Sequence, residues 1–139
     1  MPVLLAMLVL IAAHAGGQAS DVTVGPLGDR PGDPAQGQEI VLDPARGNCL
    51  ICHPIPIAGA EFHGDVGPDL AGVGSRYDAG EIRLRVVDPK RLNPASVMPA
   101  YHRTDGLHRV LQEYRGEPIL TGQEVDDIVA YLMTLGEDQ

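Results

Sequence analysis

The sequence predicts an all-α, loop-rich domain, and three observations carry that expectation. Three segments open on helix-capping residues and bury apolar side chains on one side. Gly 17 and Pro 12 in 139 residues leave much of the remaining chain to turns and loops. The two cysteines lie in one short run, Cys49-Leu50-Ile51-Cys52-His53, with no strong β pattern before it.

At this length the chain supports one domain. Residues Val3–Ala13 form an apolar run followed by His14-Ala15 and Gly16-Gly17-Gln18-Ala19. This pattern fits a secretory leader over residues 1–19, cleaved after Ala15 or Ala19, although Lys and Arg are missing from its start. The run is too short to span a bilayer, and no later segment is long and apolar enough. The mature chain is therefore expected outside the cytoplasm, in the periplasm. Residues 20–32 carry Gly, Pro and Asp without periodicity and read as a flexible N-terminal arm, leaving 33–139 as the folded domain.

The first helix is expected from Asp33 as N-cap, Pro34 at the first helical position and Gln36 at capping-box spacing. Ile40 and Val41 are apolar on its inner side, where small Ala35 and Gly37 allow close packing. Asp43-Pro44 ends it, because proline disfavours a helical residue before it. A second helix follows from the Asp78/Glu81 capping pair and runs to about Val87, with Ile82, Val86 and Val87 inward. The third is the strongest. Thr121 and Glu124 form its capping box, and Val125, Ile128, Val129, Leu132 and Leu135 repeat at three and four. Asp126 and Asp127 suit its N-terminus, Gly136 is a natural stop, and Gly37 could pack closely against it near Tyr131. Gly116 to Leu120 reads as a connector that tucks Ile119 and Leu120 under this helix.

C-x-x-C-H is the attachment signature of a c-type haem. On a helical turn, residues three apart share a face, so Cys49 and Cys52 can each form a thioether with a haem vinyl group. His53 then presents its imidazole to the iron as proximal ligand. A zinc site would need a second pair of ligands and a thioredoxin-like pair would need a βαβ unit. Neither is visible. Scarce aromatics, 4% of residues, also fit a domain whose apolar centre is supplied by a buried macrocycle.

A proximal histidine needs an acceptor for its second ring nitrogen. The carbonyl of Pro68, in the Gly67-Pro68 turn, is the candidate, and Leu70 would then pack on the haem plane. Met98 lies in the loop after Asp88-Pro89 and Asn93-Pro94 and is followed by Pro99. It is the candidate sixth ligand, a thioether that raises the potential by stabilising reduced iron. His63, His102 and His108 compete for that role, and Met133 reads as a core or edge residue of the last helix.

The formal net charge of −9 argues against non-specific nucleic-acid binding. Yet Arg76, Arg83, Arg85, Lys90, Arg91, Arg103, Arg109 and Arg115 gather most of the basic residues in one segment. That segment reads either as a solvated face or as a docking surface for an acidic partner.

The capped first helix, C-x-x-C-H, Gly-Pro-x-Leu, Met-Pro and final amphipathic helix together resemble a class I cytochrome c. The runs GNCLICH, GPDLAGVGSRY, LRVVDPKRLNP, MPAYHRTDGLHRV and GEPILTGQEVDDIVAYLMTL are similar to the SoxX family of sulfur-oxidation cytochromes. This resemblance implies one covalent haem c in a class I fold. It also implies a heterodimer with a SoxA-like haem subunit, an L-cysteine S-thiosulfotransferase that joins thiosulfate to a cysteine of a SoxYZ carrier. In that family the sulfur chemistry belongs to the larger subunit's haem, which has a cysteine-derived ligand. This chain has no third cysteine, so the resemblance assigns it no catalytic residue. It would accept electrons and pass them to an acceptor cytochrome. Two other readings stay open: a free-standing electron shuttle, and a five-coordinate peroxidase or gas sensor.

Overall fold

The computed structural model describes residues 24–136, and among them it contains helices and no strands. The α-helices are α1 (Pro34–Leu42), α2 (Val73–Arg76), α3 (Ala79–Val87) and α4 (Gly122–Thr134). Short 3₁₀ turns cover Cys49–Ile51, Pro89–Arg91 and Gln112–Tyr114. The proposed leader lies outside the described residues.

The caps form where the residue types dictate. Asp78 and Glu81 exchange side-chain and backbone hydrogen bonds at the start of α3, and Thr121 and Glu124 do so at α4. Asp33 caps α1 through Ala35 N–H at 2.9 Å and Gln36 N–H at 3.4 Å, without a reciprocal bond from Gln36. At its other end α4 stops at Thr134, before Gly136, with the Leu135 N–H turned back to Leu132.

The core is the crossing of α1 on α4, closed on one side by α3. Ile40, Val41, Ile82, Val125, Ile128 and Leu132 pack there with little or no exposure. Gly37 makes the crossing close: a β-carbon built on it would collide with the Asp127 carbonyl oxygen and lie 2.8 Å from Cβ of Tyr131. Leu120 is buried beneath α4 as the connector requires, but Ile119 is 56% exposed. Successive residues of an extended connector point to opposite sides, so only one of the two can face the helix.

Residues 24–32 differ from the flexible arm read in the sequence. The Asp126 carboxylate accepts hydrogen bonds from Leu27 N–H at 2.7 Å and Gly28 N–H at 2.6 Å. Arg30 pairs with Asp127 at 2.9 Å, and Val24 bonds through both its N–H and its carbonyl to α3. The segment is thus strapped across α3 and α4. Asp126 and Asp127 do more than favour a helix N-terminus: both are buried and supply the acceptors for this strap.

Candidate haem-binding site

Asn48 begins the 3₁₀ turn from the left-handed region at φ 48°, and His53 N–H closes it onto the Cys49 carbonyl at 3.0 Å. Cys49, Cys52 and His53 are thereby carried on one turn. The cysteines form no disulfide with each other. Burial, reinforced by the neighbouring Cys52, pushes the Cys49 thiol up to about 11. It therefore stays protonated at neutral pH, unlike the low-pKa thiolate of a redox-active pair.

The segment that follows is zipped to this turn. Gly64 N–H bonds Leu50, Gly67 N–H bonds Cys52 at 2.7 Å, and Leu70 N–H bonds Pro54 at 3.0 Å. Nδ1 of His53 then lies 2.7 Å from the Pro68 carbonyl oxygen. A carbonyl can only accept, so Nδ1 must carry the proton, and in the neutral ring this leaves Nε2 as the atom with the lone pair. Gly67 lies under the imidazole: a β-carbon there would sit 2.5 Å from Nδ1 and 2.7 Å from Nε2. The ring and the Gly-Pro turn can approach so closely only because position 67 has no side chain.

The Met98 segment forms another part of the site's wall. It leaves the Pro89–Arg91 turn, and Tyr101 N–H then returns it to the Val86 carbonyl of α3 at 3.1 Å. The buried Tyr101 hydroxyl donates to the Gly47 carbonyl at 2.7 Å, joining this segment directly to the cysteine turn. Burial, with the two cysteines nearby, pushes the Tyr101 phenol up to about 12, so it remains a donor.

Between the two segments lies a cavity of about 890 Å³. Cys49, Cys52, His53, Pro68, Leu70 and Met98, the six residues singled out in the sequence, all line it. His63, His102 and His108 do not. His102 instead places Nδ1 2.7 Å from the Leu120 carbonyl oxygen, and His63 places Nδ1 3.0 Å from that of Gly64. Met133 borders a separate small hollow beside the N-terminal strap.

Haem is a flat apolar ring with two vinyl groups, two carboxylates and an iron, and the cavity can be tested against each part. Leu70, Val73, Ile82, Val86, Ile128 and Leu132 supply apolar walls, and two thiols and two candidate iron ligands converge. The lining also includes Arg46, Arg76 and Arg85 but no Asp or Glu among the described residues, in a chain of formal net charge −9. Arg46 is neutralised by Asp43 at 2.6 Å and Glu124 at 3.5 Å. Arg76 donates to the Ala71 and Asp69 carbonyls, while Arg85 donates to the Glu81 carbonyl and stacks 3.9 Å over the Tyr77 ring. Among the described residues these two guanidiniums form no ion pair, which suits an anionic ligand such as the haem carboxylates. The residues fit the group.

Sequence alone does not mark Gly67, Arg76, Arg85 or Tyr101 as parts of the site. The arginines were visible only as members of a basic run. That run is not one docking face: Arg83 is buried against Asp126 at 2.6 Å, and Arg103 reaches Asp88 at 3.1 Å.

The family profile for cytochrome c matches residues 34–136. The chain belongs to the cytochrome c family. That membership, with the single C-x-x-C-H run, makes it a monohaem c-type cytochrome with covalent haem c. Among solved structures it is similar to a chain of the crystal structure of SoxXA from P. pantotrophus, with a TM-score of 0.75 and 34% identity. The match covers 81% of this chain and 88% of that one, so this cytochrome is SoxX-like. It is also 33% identical over 55 residues to cytochrome c-550 of Bacillus subtilis (strain 168), a match covering 40% of this cytochrome and 42% of that relative. No helix among the described residues is long and apolar enough to cross a membrane.

Proposed function

We propose that this cytochrome is the electron-accepting small subunit of a SoxAX-type heterodimer in the periplasm. Cys49 and Cys52 would carry the two thioethers, and His53 and Met98 would bind the iron. The observation that carries this reading is the convergence of His53 and Met98 on one cavity that no other described histidine or methionine lines. Haem bound there supplies a one-electron redox centre.

The chain's own residues determine what that centre can do. Pro68 fixes the His53 tautomer, and the Tyr101–Gly47 bond ties the distal segment to the proximal one. With His53 and Met98 both holding the iron, substrate would find no open coordination position. The sulfur chemistry then belongs to the SoxA-like partner. Joining thiosulfate to a SoxYZ thiol forms an S–S bond and breaks an S–H bond, releasing one proton and two electrons. This subunit receives those electrons singly and returns them to a downstream acceptor cytochrome. Its likeness to the SoxXA chain and the lack of a third cysteine support this division of labour.

The test is co-expression with a SoxA-like subunit, together with Met98→Ala. The expected results are a stable heterodimer and, in the variant, loss of the ferric sulfur-to-iron band with a lower potential. A cytochrome that stays monomeric beside the partner would refute the subunit role. A Met98→Ala protein with an unchanged spectrum would refute the ligand assignment.

A further inference from the structure

Lys90 lies outside the cavity lining but beside the loop that carries Met98. Its backbone sits in the Pro89–Arg91 turn, held by the Asp88 carboxylate, which accepts Lys90 N–H at 3.2 Å. The other Asp88 oxygen takes Arg103 at 3.1 Å, so the lysine starts from a fixed base. Its side chain is half-buried and, among the described residues, forms no ion pair with a carboxylate. Nζ donates instead to the Ser96 carbonyl at 2.8 Å and lies 3.5 Å from the Met98 carbonyl.

The loop it reaches packs Met98 against the core, and its other hydrogen bonds are local. Ala95 N–H bonds Asn93 Oδ1, Ser96 N–H bonds the Asn93 carbonyl, and Met98 N–H bonds Ser96 Oγ. These bonds shape the loop from within but do not anchor it. Downstream anchoring begins only at Tyr101, on the α3 carbonyl of Val86. Asn93, whose own N–H bonds the Pro89 carbonyl at 3.0 Å, holds the start of the loop, and Lys90 supplies the hydrogen bonds that reach the Ser96 and Met98 carbonyls from the Pro89–Arg91 turn.

We propose that Lys90 is a positioning residue for Met98: its ammonium clamps the two carbonyls flanking Val97 and thereby holds the thioether toward the cavity. The inference rests on the reading of Met98 as axial ligand. A charge-assisted hydrogen bond is about twice as strong as a neutral one, so a single lysine suffices to tether a short loop. Removing it leaves the Ser96 carbonyl to water and lets Met98 leave more often.

The test uses the haem-loaded full chain with Lys90→Met, Lys90→Gln and Lys90→Arg, and Met98→Ala as control. Two readouts are the ferric sulfur-to-iron band and the rate at which added imidazole displaces the thioether. Lys90→Met should speed displacement about tenfold, the scale of one lost hydrogen bond to a charged group. Lys90→Gln should fall between, and should carry the same test if Lys90→Met fails to load haem. Lys90→Arg, which keeps charge and donors, should stay within about threefold of wild type. Displacement within about twofold of wild type in both Lys90→Met and Lys90→Gln, with the band absent from Met98→Ala, would overturn the clamp and leave the ligand assignment standing. A band retained in Met98→Ala would remove the ligand assignment itself, and the clamp with it.

Discussion

Asp126→Asn is a near-isosteric change that should nonetheless remove much of this domain's stability margin. Asp126 is 4% exposed and accepts three strong hydrogen bonds, from Leu27 N–H at 2.7 Å, Gly28 N–H at 2.6 Å and Arg83 Nε at 2.6 Å. An amide offers one acceptor oxygen and one donor group. Whichever way the substituted amide flips, its NH₂ faces either the two backbone donors or the guanidinium. Arg83, itself 8% exposed, is then left without its counter-charge. Breaking one side of a buried pair costs about 3–5 kcal/mol, a large share of the roughly 5–15 kcal/mol that holds a domain. Removing both partners as Arg83→Met/Asp126→Leu should recover part of the loss, because the stranded charge goes but the Leu27 and Gly28 donors stay unpaired. The dependence on pH has a definite sign. Burial raises the Asp126 pKa, but the Gly28, Arg83 and Leu27 hydrogen bonds outweigh it and hold it below the usual carboxylate value. Its contribution is therefore present above the unfolded pKa of about 4 and is lost as pH falls through the lower native value. Urea denaturation of the haem-loaded protein, followed by far-UV circular dichroism at pH 7 and at stepped acidic pH, measures both effects. An Asp126→Asn variant within about 1 kcal/mol of wild type, with the same acid limb, would refute the account.

Gly37→Ala should cost about 1–3 kcal/mol through overpacking, since its methyl would meet Asp127 backbone and Tyr131 and force α1 away from α4; an unchanged thermal midpoint would show that the crossing adapts. Arg85→Gln should lower the midpoint potential by on the order of tens of millivolts, because a cation beside the cavity disfavours the more positive ferric state. Arg85→Lys should recover most of that shift in protein-film voltammetry, and a glutamine variant at the wild-type potential would exclude Arg85 from the site's electrostatics.

What could be read from sequence depended on how far apart the interacting residues lie. The Asp78/Glu81 and Thr121/Glu124 boxes are complete within four residues, so α3 and α4 were legible in full. The thiols and His53 are legible for the same reason: one helical turn carries the chemistry. Pro68 was accessible because Gly-Pro constrains its own backbone, although the imidazole it meets is fifteen residues away. The strap was not. Leu27 and Gly28 meet Asp126 across 99 and 98 residues, and the local meaning of Asp126, an acid near a helix start, hid the distant one. Tyr101 is hidden in the same way, because its partner is the Gly47 carbonyl, which no sequence pattern marks.

The basic run shows the same limit and also resolves it. Arg83 and Arg85 are two apart on α3, and a helix turns about 100° per residue, so they point to nearly opposite sides. One faces α4 and is consumed by Asp126; the other lines the haem cavity beside Tyr77. A single short helix thus divides its cations between closing the fold and completing the site. The division explains how a chain of formal net charge −9 can surround its cofactor without a lining carboxylate among the described residues. Its acids near the core are engaged elsewhere: Asp126 and Asp127 on the strap, Asp88 between Lys90 and Arg103. Uncompensated positive charge at the cavity favours the carboxylates of haem and the reduced state of its iron together. That is the electrostatic setting the proposed electron-accepting role needs.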